Sequence, residues 1–144
     1  MRSLVLLGSL LAIACVSQSP TQKLAKDAEP VGSWLATLQM TAEKWSANSV
    51  PAHFARDTAK AAAKQLEKAA ATADESAAPP ALREPLRRLI AESRTAAGDF
   101  QRVVAAGDRR RAGAAAARFH ALGDAFDKWK HSAVSSPMKK ASSR

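Results

Sequence analysis

Residues 82–104 read LREPLRRLIAESRTAAGDFQRVV. When this stretch is placed at about 100° per residue around a helix axis, its apolar and small residues fall on one side and its arginines take other positions. The apolar stripe consists of Leu82, Leu86, Leu89, Ile90, Ser93, Ala97, Phe100 and Val104. The spacing predicts an amphipathic helix. Pro85 lies in the first turn or just past it, so the helix either begins near Glu84 or carries an early kink.

Three other stretches have the same period. They predict helices from about Gly32 to Ala47, from Pro51 to about Glu75, and from Asp108 to about Ala133. Their apolar stripes are Val31, Trp34, Leu35, Leu38, Ala42 and Trp45; Phe54, Ala55, Ala62, Leu66, Ala69 and Ala73; and Ala115, Phe119, Leu122, Phe126 and Trp129. Since Trp34, Trp45 and Trp129 all lie on stripes, we expect the tryptophans in the core.

The links between these helices are short. Asn48 and Ser49 precede Pro51, two prolines close the turn at residues 76–80, and Gly107 with Asp108 supplies a helix stop and a helix cap. Four amphipathic helices with short links can bury their stripes only against each other. The sequence therefore predicts an all-α protein, with residues 31–134 forming an antiparallel up-down-up-down four-helix bundle. Alanine makes up 34 of the 144 residues, which favours helix and a thin core.

The first residues predict export. Arg2 precedes Leu4–Cys15, an apolar or small-residue run of about a dozen residues, which is typical of a secretory signal peptide and short of the roughly 20 residues of a membrane-spanning helix. We therefore expect residues 1–14 to be removed. The segment 15–30 is polar, bounded by prolines, and predicted to be a flexible tether. The segment 135–144 is predicted to be a disordered basic tail.

The end of that run, Leu11-Ala12-Ile13-Ala14-Cys15, resembles the lipobox of bacterial lipoproteins. The resemblance implies that the Cys15 thiol receives a diacylglycerol and that Cys15 becomes the first mature residue. It also implies an outer-membrane location in a Gram-negative host, since Val16 is not the aspartate that retains lipoproteins in the inner membrane of enteric bacteria. The alternative is that Ala12-Ile13-Ala14 is an ordinary A-x-A cleavage site, which leaves Cys15 unlipidated and the protein free in the periplasm or secreted.

The last predicted helix resembles that of cytochrome c′, an exported four-helix bundle. The resemblance is carried by Ala106-Gly107-Asp108, an alanine-rich turn and Ala121-Leu122-Gly123. In that family the helix continues into C-x-x-C-H, which binds haem covalently. Here residues 126–130 read FDKWK, so the resemblance implies the fold and not the haem attachment.

Two kinds of ligand site could involve the histidines of the last predicted helix. Non-covalent haem would need Met40 with His120 or His131, but their helical positions lie off the apolar stripes, so we expect no cofactor. A metal such as Zn²⁺ or Cu²⁺ would use the His120, Asp124, Asp127 and His131 stripe, whose spacings of 4, 3 and 4 place all four on one side. The simpler interpretation is a solvated polar face.

The formal net charge of +9 would suggest nucleic acid in a cytosolic protein, whereas export makes anionic lipid or envelope polymer the expected partner. The candidate contacts are Arg87, Arg88, Arg109, Arg110 and Arg111, with a merely solvated charge run as the alternative. No nucleophile, metalloprotease or phosphate-loop motif is present. We therefore expect a non-enzymatic, lipid-anchored protein with a binding or structural role at the cell envelope; the alternatives are a metal- or haem-binding bundle and an electrostatic binder of anionic envelope polymers.

Overall fold

The computed structural model of the protein describes residues 18–135. Regular structure in this part of the chain is entirely α-helical and consists of α1 (Pro20–Asp27), α2 (Glu29–Ser46), α3 (Ala52–Glu75), α4 (Pro80–Ala105) and α5 (Arg109–Ser135). Helices α2 to α5 correspond to the four predicted amphipathic helices. The prediction of an all-α protein is therefore confirmed for the described residues.

Helix α4 begins at Pro80, four residues before Glu84, so the first of the two predicted alternatives, a start near Glu84, does not hold. Pro79 takes the N-cap position and Pro80 the first turn, where a missing amide proton costs nothing. Pro85 lies inside the helix, so the carbonyl of Ala81 has no helical donor. Because Ala81 and Pro85 are both exposed, water can satisfy that carbonyl and the helix continues.

The four long helices pack around one core. α2 contacts α3 and α5, and α4 contacts the same two helices, while α2 and α4 meet more weakly across the middle. Trp45, Phe100 and Phe119 form a chain of edge-to-face aromatic contacts with ring centroids 6.4 and 5.8 Å apart. All three side chains are fully buried, as is most of each predicted stripe. Aromatic rings from three different helices thus fill the centre of an otherwise alanine-rich core.

The turn between α4 and α5 follows its sequence prediction. Gly107 has φ 68°, the left-handed conformation that glycine adopts without steric cost. Asp108 Oδ1 accepts a hydrogen bond of 3.2 Å from the Arg111 amide at the start of α5. The predicted helix stop and helix cap are confirmed.

Two further sequence predictions are wrong. The tether predicted over residues 15–30 contains α1 and the first residues of α2 instead of flexible chain. Phe54, which is on the apolar stripe predicted for α3, is 48% exposed. The side of the helix that packs into the core is centred on its neighbour Ala55, which is fully buried.

Helix α1 is stabilised by a cap at its N-terminus and by the packing of its apolar side chains. Ser19 and Gln22 form a capping box, in which the side-chain oxygen of each residue accepts a hydrogen bond from the backbone amide of the other. Leu24, Ala25 and Ala28 are buried in the common core. The helix contacts α2, α3 and α5, so it belongs to the folded unit. Residues 1–17 and 136–144, which include the predicted signal peptide and nearly all of the predicted tail, lie outside the described part of the chain.

Candidate functional site

Cys15, the predicted lipidation site, lies outside the described residues. The structure does place the chain that follows it: Ser19 caps α1, only four residues after Cys15. Between residues 18 and 135, none of the helices combines the length and apolar character needed to cross a membrane.

The His/Asp stripe of α5 is on the surface. His120 Nε2 and Asp124 Oδ2 are 3.4 Å apart, with side chains 63% and 59% exposed. Asp127 and His131 are exposed as well. Within residues 18–135, no group of three or more His, Cys, Asp or Glu side chains is arranged to hold a metal ion. The structure therefore brings together one adjacent His–Asp pair and adds no ligand from another helix.

The residues weighed for haem are also peripheral. Met40 is 51% exposed, and neither His120 nor His131 is buried. A groove of about 600 Å³ between α2 and α5 does include His120. Its other lining residues are Gln39, Glu43, Ser46, Ala47, Gly113, Ala116 and Ala117, so Met40 does not face it. The geometry does not bring the two proposed axial ligands together.

Arg87 and Arg88 are neighbours in sequence with different surroundings. Arg87 is paired with Asp74 of α3 at 2.6 Å and with Glu84 at 2.9 Å. The hydrogen bond that Arg87 donates to Glu84, and then the charge of Asp74, raise the pKa of Arg87 above its ordinary value. Arg88 is exposed and has no ion-pair partner in the described part of the chain. Of the two, Arg88 is the one whose charge is available to an anion.

The three arginines of the Arg109–Arg111 run also differ in their surroundings. The Arg109 guanidinium lies over the Trp45 ring, 4.8 Å from its centroid, and donates to the Trp45 carbonyl. Arg111 lies 3.4 Å from Asp108. Arg110 is exposed and unpaired among residues 18–135. The run follows the C-terminal end of α4, whereas Arg87 lies near its start. At 1.5 Å per residue, the distance along the helix from Arg87 to Ala105 is about 27 Å. The five candidate arginines therefore form two separate sites.

A further ionic cluster was missed by sequence reasoning. Asp99 of α4 accepts from Arg118 of α5 at 2.8 Å and also from Arg102. These hydrogen bonds, from Arg118 first and Arg102 second, lower the pKa of the Asp99 carboxyl below its ordinary value of 3.8. The Asp99–Arg102 spacing of three was visible in the sequence, but the contact with Arg118 depends on how α4 packs against α5.

The same two helices border a small groove of about 320 Å³. Its lining is mostly apolar and consists of Ala96, Phe100, Val103, Ala114 and Ala115, with Asp99, Arg111 and Arg118 at the rim. Both rim arginines already have carboxylate partners. The groove thus offers apolar surface without a free charge beside it.

No protein-family model matches this chain, and no curated protein or solved structure shows detectable similarity to it.

Proposed function

We propose that this chain is an exported protein anchored at the cell envelope by lipid on Cys15, with a helical bundle that binds a partner and performs no catalysis. The observation that carries the proposal is the order of features in Leu4–Cys15: an apolar run preceded by Arg2 and ended by a lone cysteine directly after small residues. The outer membrane is the proposed location in a Gram-negative host, on the basis of Val16.

The described residues are compatible with a domain displayed beside a membrane. All of the helices between residues 18 and 135 present polar or charged surfaces, and the apolar stripes are used for packing. Several acyl chains on one cysteine, at about 0.8 kcal/mol per buried methylene, are sufficient to hold such a domain at a bilayer. Lipid would thus supply the membrane affinity that the bundle lacks.

We infer that α2 to α5 run alternately up and down. Three contacts between helices support this arrangement for α2, α4 and α5. Lys130, late in α5, lies 3.4 Å from Glu29 at the start of α2. The Ser46 hydroxyl at the end of α2 donates to the Arg109 carbonyl at the start of α5. Trp129 Nε1 donates at 2.9 Å to the carbonyl of Leu82, in the first turn of α4. The inferred arrangement is also that of the cytochrome c′ bundle that the α5 sequence resembles.

Membrane fractionation of cells that express the full chain tests the proposal. The wild-type protein is expected in the membrane fraction, and Cys15→Ser is expected either unprocessed or in the soluble fraction. Ser17→Ala is a matched control, because it alters a nearby polar residue and keeps the cysteine. Equal distribution of wild type and Cys15→Ser into the soluble fraction would show that Ala14 is an ordinary cleavage site.

We propose an anionic envelope polymer as the partner, because the bundle has exposed positive charges. Arg88 and Arg110 favour it, because both are exposed and have no carboxylate partner among residues 18–135. Binding of the purified protein to lipopolysaccharide should weaken steeply with added salt and should fall in Arg110→Gln. Salt-insensitive binding, or binding equal in the variant, would favour a protein partner.

A further inference from the structure

We propose that the end of the bundle covered by α1 faces the membrane and that the end carrying Arg109–Arg111 points away from it. This orientation rests on the proposed lipidation of Cys15. It assigns two functions to the two ends of the bundle: one is an interface with lipid headgroups, and the other is a surface directed toward a partner.

Helix α1 limits the distance between the bundle and the proposed anchor at Cys15. The Ser19–Gln22 capping box and the burial of Leu24, Ala25 and Ala28 attach the helix to the bundle. Ser19 is four positions after Cys15, with three residues between them. A fully extended chain spans at most about 3.6 Å per residue, so Cys15 lies within about 14 Å of the start of α1. A lipid on Cys15 therefore holds the bundle close to the bilayer.

Helix α1 lies at the end of the bundle where α3 and α5 end. Its residues Pro20, Lys23 and Asp27 border the same groove as Thr72 to Ala77, where α3 ends and the link to α4 begins. The end of α5 is at this end too, because Lys130 is paired with Glu29.

The Arg109–Arg111 run lies at the opposite end of the bundle. Helix α4 has 26 residues, which correspond to about 39 Å at 1.5 Å per residue. The Arg109–Arg111 run begins beyond its last residue. Surface charges are screened over about 8 to 10 Å at physiological ionic strength. In this orientation the exposed Arg110 is too far from the anchoring membrane to respond to its charge, and is available to the anionic envelope polymer proposed as partner.

Energy transfer to the membrane tests this orientation in the full-length lipidated protein. Ala77→Cys and Ala106→Cys form a matched pair, because both alanines are exposed and each lies in a link between helices, at opposite ends of α4. Each purified variant is labelled with a maleimide donor dye, which does not react with an acylated Cys15. The protein is then reconstituted into vesicles of phosphatidylethanolamine and phosphatidylglycerol that contain an acceptor lipid.

We expect transfer from position 77 to exceed that from position 106 roughly twofold or more, because the helical rise separates the two sites by about 39 Å. A flexible Gly/Ser linker inserted between Ser17 and Gln18 should reduce this difference. Vesicle flotation of the same samples reports anchoring separately. A protein that floats and shows equal or reversed transfer overturns the orientation and leaves lipidation intact, whereas a protein that does not float overturns both proposals.

Discussion

The Arg109 guanidinium lies over the indole of Trp45, with its central carbon 4.8 Å from the ring centroid, and donates a hydrogen bond to the carbonyl of the same tryptophan. One arginine thus stacks on the side chain and bonds the backbone at the end of α2. The Ser46 hydroxyl donates back to the Arg109 carbonyl at 3.2 Å. These contacts join α2 to the start of α5, a position where the helix dipole by itself disfavours a cation.

We predict that Arg109 stabilises the fold and that its neighbour does not. Arg109→Gln should lower the free energy of unfolding by about 1 to 2 kcal/mol, because it removes a cation–π contact and a charge-assisted hydrogen bond. Arg110→Gln is the matched control and should change it by less than about 0.5 kcal/mol. Urea unfolding followed by circular dichroism measures both. Equal effects of the two substitutions would contradict a structural role for Arg109.

The second prediction concerns Gly32, which allows α2 to approach the Phe126 ring. A methyl group at residue 32 would lie 2.8 Å from the ring, closer than carbon atoms can pack. Gly32→Ala should therefore destabilise the protein by about 1 to 3 kcal/mol, in spite of the higher helix propensity of alanine. Gly98→Ala, at a helical position with no neighbouring atom within 4 Å, should stabilise it by about 0.5 to 1 kcal/mol. Thermal unfolding midpoints that shift in the same direction for both variants would be inconsistent with this packing.

The third prediction tests the attachment of α1. Leu24 is 2% exposed, so Leu24→Ala should weaken the docking of α1 by about 2 kcal/mol or more. Lys26→Ala, on the exposed side of the same helix, should leave docking unchanged. Hydrogen exchange of the amides of residues 23–28, which donate to backbone carbonyls in the first helix and its caps, should accelerate in Leu24→Ala, with the α4 amides less affected. Rapid exchange of these amides already in the wild type would mean that α1 is not part of the folded unit.

The fourth prediction is a dependence of stability on pH at Asp99. The hydrogen bonds from Arg118 and Arg102 lower the pKa of the folded carboxyl below 3.8, so the unfolded state binds the proton first as the pH falls. The stabilisation by Asp99 is therefore present above about pH 4 and is lost as the pH falls through the folded pKa. It is small, because the carboxylate is 42% exposed.

The measurement compares Asp99→Asn with wild type in urea at several pH values. The variant should be slightly less stable near neutral pH, and the difference should vanish in strong acid. Asp57→Asn is the control, because Asp57 is exposed and has no ion-pair partner between residues 18 and 135. A difference that persists unchanged into acid would show that the Asp99 carboxylate charge does not contribute.

The amphipathic periods predicted four of the helices because each long stripe had to be buried. Helix α1 is not predicted by periodicity because its eight residues carry only two buried apolar side chains, and because Pro20 and Pro30 are also typical of the ends of a tether. A signal was present: Ser19 and Gln22 have the spacing of a capping box, and proline is tolerated in a first turn. Phe54 was placed on the stripe wrongly, because it lies about 100° around the helix from Ala55 and Ala73, which are buried.

The candidate arginines show the limit of sequence reasoning for the site. Arg87 and Arg88 look alike in sequence, yet Arg87 is paired with Asp74 of a different helix and Arg88 is not. Arg109 and Arg110 differ in the same way, because only Arg109 reaches Trp45 across the α2–α5 contact. Which charges are available to a partner is decided by packing between helices, and that information is not local in the sequence.

Intact mass spectrometry of the protein purified from membranes tests the central proposal most directly. Lipidation predicts a chain that begins at Cys15 and carries the added mass of a diacylglycerol, with or without a further acyl group on its new amino terminus. The same preparation of Cys15→Ser should contain no acylated species. A wild-type chain that begins at Cys15 with an unmodified thiol would contradict the lipid anchor, and with it the orientation of the bundle at the membrane.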